Sequence, residues 1–479
     1  MSNGTAEKKD VEYDIAVIGL GPGGEHVAGS LAQQGFSVLA IEKRLVGGEC
    51  PYYGCIPSKM MIRAANALAE ARRVPDLAGT VDAVTPDFGL AAARIRDEAT
   101  TDWDDTIAVD RLTDQGADVV KGTGRIIDAH TVEVDGVRHR IGRGIVVNTG
   151  TDPALPPIPG LADAEPWTNR ELVRIAELPR SLVVLGGGPI GCEFGQALAR
   201  FGVEVTIIEG ADRLLPREEP EAGENLAEVL RGEGLQLRLG VRAEKVEKDA
   251  SGTTITLDDG GSVTAERILV ATGRAMSPAA VGLDAVGVPA DARAVEVDEH
   301  CRVSDGVWAI GDITGVGAFT HLSMYQADLV IADLGRNGSN QQADTRTADA
   351  RTANYSALPR VTFTDPEVGV VGLTEEQARS EHDAGRLGRV SVASAPMEAS
   401  TRGWIHGPGG EGVIKLVADA EAGVLVGATA MGPSGGEVIA ALQVAIAGRV
   451  PVATLAEQIW AYPTFARGIA SALPEVDPA

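Results

Sequence analysis

What most constrains this chain is a strand, glycine turn, helix and strand pattern that occurs twice. In the first copy, "DIAVI" (Asp14 to Ile18) meets "GLGPGG", then the helical pattern "EHVAGSLAQQG", then a second apolar run, "SVLAIEK". In the second, "SLVVL" meets "GGGPIG", "CEFGQALARFG" and "VEVTIIEG". Each reads as one βαβ unit, because short apolar runs make buried strands and apolar residues at helical spacing make an amphipathic helix. One glycine match alone is weak. Two copies in strand–glycine–helix context predict an α/β protein with two Rossmann-like dinucleotide-binding domains.

The spacing carries chemistry. Gly19, Gly21 and Gly24 supply a tight turn, a close approach to a pyrophosphate and close helix–strand packing; Gly186, Gly188 and Gly191 repeat the arrangement. The following helix start offers free N–H groups and a positive dipole end to phosphates. Glu42 and Glu209 each end the second strand of their copy, placed to accept a hydrogen bond from a ribose hydroxyl. A carboxylate at Glu209 favours the 2′-hydroxyl of NAD and repels the 2′-phosphate of NADP, so NADH is expected. Arg213, four residues on, is the group that could turn toward a phosphate and keeps NADPH possible. Downstream, "GIVVNTGTDP" with Gly150 and "RILVATGR" with Gly273 read as strands returning to each sheet and closing its nucleotide site.

A chain of 479 residues is too long for one ordinary core, and two to four domains are expected. The net charge of −26 argues against binding nucleic acid or an anionic membrane through a basic surface. The polar N-terminus and the lack of a run of about 20 apolar residues predict a cytoplasmic protein with no membrane partner. The polar stretch from Arg336 to Ala357 reads as an exposed loop or linker. After it, "RVTFTDPEVGVVGLTEEQA" and "EGVIKLVADAEAGVLVGATAMG" alternate like antiparallel strands with a helix start between them, and "SGGEVIAALQVAIAGR" is a small-residue helix. A third, α+β domain is placed here.

Of four cysteines, two lie in "GGECPYYGCIPSK". In a reducing compartment such a pair is a catalytic disulfide, a metal site or chance. No further cysteine or histidine stands at zinc-ligand spacing nearby, and no metal is assigned. Disulfide-linked Cα atoms lie about 4.4–6.8 Å apart. Positions five apart in an undistorted helix are roughly 8.6 Å apart. A bond between Cys50 and Cys55 therefore needs a bend, which Gly54 and Pro57 help to allow. Cys192 and Cys301 read as small buried side chains.

Together, "GGECPYYGCIPSK", the two glycine loops, "VWAIGDITG" and "FTDPEVGVVGLTEEQA" resemble the flavoprotein disulfide reductases, the family of dihydrolipoamide dehydrogenase, glutathione reductase and mercuric reductase. The resemblance spans nearly the whole chain. It implies an oxidoreductase with FAD in a domain over 10–152, completed by a central segment over 281–350. It also implies a nicotinamide domain over 153–280 and a dimerisation domain over 356–474 of a homodimer. Asp312 resembles the aspartate that binds the ribityl chain of FAD, and His321 sits where a histidine often lies near the flavin pyrimidine. By the same resemblance Cys55 faces the flavin as the charge-transfer thiolate, and Cys50 exchanges with substrate. Lys59 lies near flavin N5 with Glu193 as its carboxylate partner.

The family's dithiol-exchanging members carry a histidine and a glutamate near the C-terminus, supplied by the partner subunit as acid and base. Here "IWAYPTFARGIASALPEV" puts Tyr462 and Arg467 at those places. A phenol titrates near 10 and is a poor base at neutral pH. Tyrosine in a similar place, and "SKMMIRAA", also resemble mercuric reductase, but the C-terminus "LPEVDPA" lacks that enzyme's cysteine pair. The expected acceptor is a disulfide or dithiol-type substrate, with a quinone or a soft metal ion as the alternatives.

Overall fold

The structure is a computed structural model, and it describes residues 11–80, 82–249, 252–336 and 352–477. Most of the polar stretch expected as a linker, residues 337–351, lies outside the described residues. The chain divides into two compact units.

The first unit comprises residues 1–57, 96–153 and 274–354. Its eight-stranded sheet runs Arg302–Ser304, Val307–Ala309, Val137–Val147, Val11–Ile18, Val38–Glu42 and Asp118–Lys121, and an antiparallel hairpin, Gly124–Asp128 and Thr131–Val134, joins at Val137–Val147. The four central pairings, from Val307–Ala309 across to Asp118–Lys121, are parallel. Parallel strands need both faces covered. Ile15 and Val17 accordingly face a core with Leu31, Val146 and Leu329, while Ala16 and Ile18 face another with Leu39, Ile145 and Val307. Helix Pro22–Gln33, which opens with the glycine turn, carries Leu31 into the first of these cores, and helix Thr320–Arg336 supplies Leu329.

The second unit comprises residues 58–95, 154–273 and 355–479. It holds a four-stranded parallel sheet in the order Gln236–Leu239, Glu204–Glu209, Ser181–Leu185 and Arg267–Val270. Three antiparallel strands, Ala243–Asp249, Gly252–Leu257 and Ser262–Ala265, pack Ile255 and Leu257 against Val183 and Ile268 of that sheet. The C-terminal region of the same unit is a five-stranded antiparallel sheet, in the order Pro359–Thr362, Glu367–Gly372, Val424–Gly432, Val413–Asp419 and Val390–Pro396. Helix Gly435–Ala447 covers it with Val438, Ile439, Leu442 and Ile446. The helix start within "GLTEEQA" is a capping box: the Thr374 hydroxyl accepts from Gln377 N, and the Gln377 side chain accepts from Thr374 N. The α/β architecture read from the sequence, with its third α+β region, is the one observed.

Candidate active site

The two glycine turns are built alike. Gly19 and Gly186 have φ of +93° and +109°, a region that favours glycine. A Cβ on Gly24 would sit 2.0 Å from the carbonyl oxygen of Gly19, and one on Gly191 would sit 2.0 Å from that of Gly186. No side chain could be inserted at either place without moving backbone. Helices Pro22–Gln33 and Pro189–Arg200 start at Gly21 and Gly188 without a side-chain cap and with proline in the first turn, which leaves their leading N–H groups for a ligand. A Cβ on Gly188 would meet nothing within 4 Å.

The paired glutamates repeat the symmetry. Glu42 Oε2 accepts from Leu20 N at 2.8 Å and its Oε1 from Arg44 N at 2.7 Å. Glu209 Oε2 accepts from Gly187 N at 2.6 Å and its Oε1 from Ala211 N at 2.8 Å. Each carboxylate is thus locked to its own loop. Each oxygen keeps a lone pair for a ribose hydroxyl. Arg213 donates Nη2 to the Pro216 carbonyl at 3.1 Å, so its guanidinium is held by its own loop. Gly150 and Gly273 sit in turns with φ of +64° and +146° after the returning strands Val137–Val147 and Arg267–Val270. These cradles fit two dinucleotides: a helix start with no N-cap side chain and an acidic strand end occur in both, while the second glycine is open at Gly188 and bounded by the Asn148 amide, 3.2 Å from a Cβ, at Gly21.

The helix is interrupted between the two cysteines, the bend expected from their spacing. Cys50 lies in the short helix Glu49–Tyr52, the chain breaks at Tyr53 and Gly54, and a new helix runs Cys55–Leu77. Pro57 is accommodated because first-turn N–H groups have no helical partner. Cys55 is exposed and Cys50 half-buried. The Cys55 Sγ lies 3.4 Å from the hydroxyl of Thr320, the first residue of helix Thr320–Arg336. His321 follows, exposed, with its ring stacked on Phe319 at 5.3 Å.

In the second unit Lys59 Nζ donates to Glu193 Oε2 at 2.8 Å. Glu193 is buried, and its other oxygen accepts from Phe363 N at 2.8 Å; the Phe363 ring lies under the ammonium at 4.6 Å. Cys192, the neighbour of Glu193, is fully buried, donates to the Gly187 carbonyl at 3.3 Å, and burial pushes its thiol well above the usual range. Cys301 is likewise buried. Tyr462 is 66% exposed, and its ring has the Arg467 guanidinium 5.4 Å away.

Three residues at the site carry no signature of their own in the sequence: Thr151, Arg274 and Thr320. Asp312 is half-buried and accepts from the Thr151 hydroxyl at 2.8 Å, and Arg274 holds Thr151 in turn. Thr151 and Arg274 each follow a Thr-Gly turn directly, and that repeated context is the signal that could have found them.

Comparison with known proteins agrees with this architecture. Residues 13–328 match the family model described as pyridine nucleotide-disulphide oxidoreductase, and residues 358–473 match its dimerisation domain. The chain is 34% identical to a dihydrolipoyl dehydrogenase of Thermus scotoductus, covering 96% of each chain. It is 33% identical to a mercuric reductase of Acidithiobacillus ferrooxidans, over 98% of this chain and 83% of that one. Among solved structures it is similar to a Cu(II) complex of the HOCl-induced flavoprotein disulfide reductase RclA from Escherichia coli. That match has a TM-score of 0.81 at 26% identity, over 96% of this chain and 99% of that one. No helix among the described residues is long and apolar enough to cross a membrane. Doubled nucleotide cradles, a kinked cysteine pair and matches over both regions lead to one conclusion: the chain belongs to the pyridine nucleotide-disulphide oxidoreductases, enzymes that depend on FAD and NAD(P)H.

Proposed function

We propose that the protein works as a cytoplasmic homodimer that passes electrons from NADH through FAD to a Cys50–Cys55 disulfide and on to a disulfide or dithiol-type acceptor. FAD would be held by the first cradle, with Gly19, Gly21, Gly24, Glu42, Gly150 and Asp312. The nicotinamide would be held by the second, with Gly186, Gly188, Gly191, Glu209 and Gly273. The domains follow the same division: 10–152 with 281–350 for FAD, 153–280 for the nicotinamide and 356–474 for dimerisation. Once bound, FAD supplies hydride acceptance and two-electron delivery to sulfur.

The observation that carries this reading is the break at Tyr53 and Gly54, which sets Cys55 at the start of one helix and beside the start of another. Both helix starts favour negative charge on that sulfur. When two electrons cleave the disulfide, Cys55 keeps the thiolate and Cys50 takes a proton. Cys50, giving up that proton, attacks the acceptor disulfide as a thiolate. The acceptor sulfur–sulfur bond breaks, one acceptor sulfur takes the proton and leaves as a thiol, and the other is joined to Cys50. The Cys55 thiolate then attacks Cys50, displaces that second sulfur as a thiolate that is protonated from solvent, and restores the internal bond. Lys59, tied to buried Glu193, is a fixed positive charge suited to the electron-rich flavin. It cannot be replaced by a neutral residue without stranding the carboxylate.

Tyr462, with Arg467 over its ring, favours a second reading in which the final acceptor needs no acid–base pair: a soft metal ion or a quinone. The Cu(II) complex of the similar RclA points the same way. The two readings separate in an NADH-oxidation screen over lipoamide, small disulfides, quinones and soft metal ions with wild type, Tyr462→His and Cys50→Ser. Disulfide turnover that depends on Cys50 and rises in Tyr462→His supports the first. Full quinone turnover in Cys50→Ser with no disulfide turnover in any form would replace it with the second.

A further inference from the structure

A line of polar contacts in the first unit runs from Asp312 to the residue before Cys50. Asp312, in the turn Gly311–Thr314, accepts from the Thr151 hydroxyl at 2.8 Å. That hydroxyl oxygen accepts from Arg274 Nε at 2.6 Å, and the Thr151 carbonyl accepts from Arg274 Nη2 at 2.7 Å. Two hydrogen bonds to one residue, with the side chain only 19% exposed, leave the guanidinium one orientation. In that orientation Arg274 Nη2 lies 3.6 Å from Oε2 of Glu49, the first residue of the helix that carries Cys50. Backbone pairing of Arg274–Ala275 with Asp152–Pro153 holds Arg274 beside Thr151 at the middle of the line.

We propose that Arg274 is a positioning residue for the flavin: through Thr151 it orients and neutralises Asp312, and through Glu49 it ties that carboxylate to the cysteine-bearing segment. The inference rests on the reading that Asp312 holds FAD. One cation between two carboxylates makes an unequal balance. Burial raises the Asp312 carboxyl above the usual carboxylate range; the Thr151 hydroxyl and Arg274 oppose the rise, and Glu49 adds to it. These are the charged groups that reach it. Asp152, the next acid along the chain, is neutralised by Arg44 at 2.5 Å. If ionised Asp312 grips the cofactor, FAD is lost as pH falls through its titration. Removing the Arg274 charge moves that loss to higher pH, and removing the Glu49 charge moves it to lower pH. Damage to the fold would not give shifts of opposite sign.

The test follows release of FAD fluorescence from the holoenzyme across the acid to neutral range. Arg274→Met is expected to move the midpoint up by about one pH unit or more. Arg274→Lys should return most of the way to wild type, and Glu49→Gln should move down. Unmoved midpoints, or shifts of the same sign, overturn the proposal. Should Arg274→Met fail to fold, Glu49→Gln decides alone, since its side chain is partly exposed: a downward shift supports the proposal and an unmoved midpoint overturns it. Asp312→Asn separates the two layers. If it retains FAD like wild type, the cofactor role of Asp312 fails and the proposal with it. If it loses FAD while the other midpoints stay put, only the role of Arg274 fails.

Discussion

The first and second glycine loops share their backbone and differ in what their helices carry. In both, the strand after the loop helix lies beside the first strand, and the returning strand lies on its other side. In both, the third glycine touches the first, and a strand-end glutamate binds its own loop. Two residues past the third glycine the likeness ends. His26 in the first copy pairs with Asp328 at 2.8 Å, both partly exposed, whereas Glu193 in the second is buried against Lys59. The first sheet also gains strands and closes over its loop with Asp312, Thr151 and Arg274. A common backbone thus suffices to cradle a dinucleotide, while the side chains around it decide whether the ligand is enclosed or exchanged. On the proposed assignment the first copy would serve as the retaining site, and the second is tied through Glu193 and Lys59 to the long helix from Cys55.

The largest effects should come from filling the two glycine contacts. Gly24→Ala and Gly191→Ala each place a Cβ 2.0 Å from a carbonyl oxygen, and forced overpacking costs about 1–3 kcal/mol, or roughly tenfold or more in binding. Gly24→Ala is expected to purify with little FAD, read as the ratio of 450 to 280 nm absorbance. Gly191→Ala should keep FAD and raise KM for NADH about tenfold. An exchange of these outcomes would reverse the assignment of the two cradles.

Next in size is the contrast between the helix partners. Lys59→Met leaves Glu193 charged and buried, and is expected to cost about 3 kcal/mol or more in chemical denaturation. Glu193→Gln keeps an acceptor for Phe363 N and leaves an ammonium whose side chain is 35% exposed, so its cost should be smaller, about 1 kcal/mol. His26→Ala, which removes a partly exposed pair, should cost less still. Equal losses in all three would mean that the buried pair has no special weight.

Smaller again is the effect on nicotinamide choice. Glu209→Gln is expected to lower the NADH to NADPH ratio of kcat/KM about tenfold, by removing the repulsion of a 2′-phosphate; Glu42→Gln should leave that ratio unchanged. Last, Cys192 should resist alkylation in the native enzyme, because its thiol is buried and held by Gly187 O, while Cys50 and Cys55 label after reduction, as mass spectrometry of the peptides would show.

How much of this the sequence disclosed differs by kind of residue. Local backbone devices were legible: the glycine turns, the strand-end acids and the bend demanded between Cys50 and Cys55 are dictated within a few residues. So was the helix start within "GLTEEQA", though not its capping box. Lys59–Glu193 was legible only through resemblance, because its members stand 134 positions apart and nothing local links them. Arg274 and Thr151 were not legible, since their work depends on where a returning strand delivers an ordinary Thr-Gly turn. Long-range side-chain pairing of this sort is set by packing, which periodicity does not encode.

Whether the sulfur pair receives electrons from the flavin is read by anaerobic titration of the purified enzyme with NADH. A long-wavelength charge-transfer absorbance is expected as the first two electrons enter, lost in Cys55→Ser and retained in Cys50→Ser. Direct bleaching of the flavin in wild type, with no such absorbance and no effect of either substitution, would contradict it.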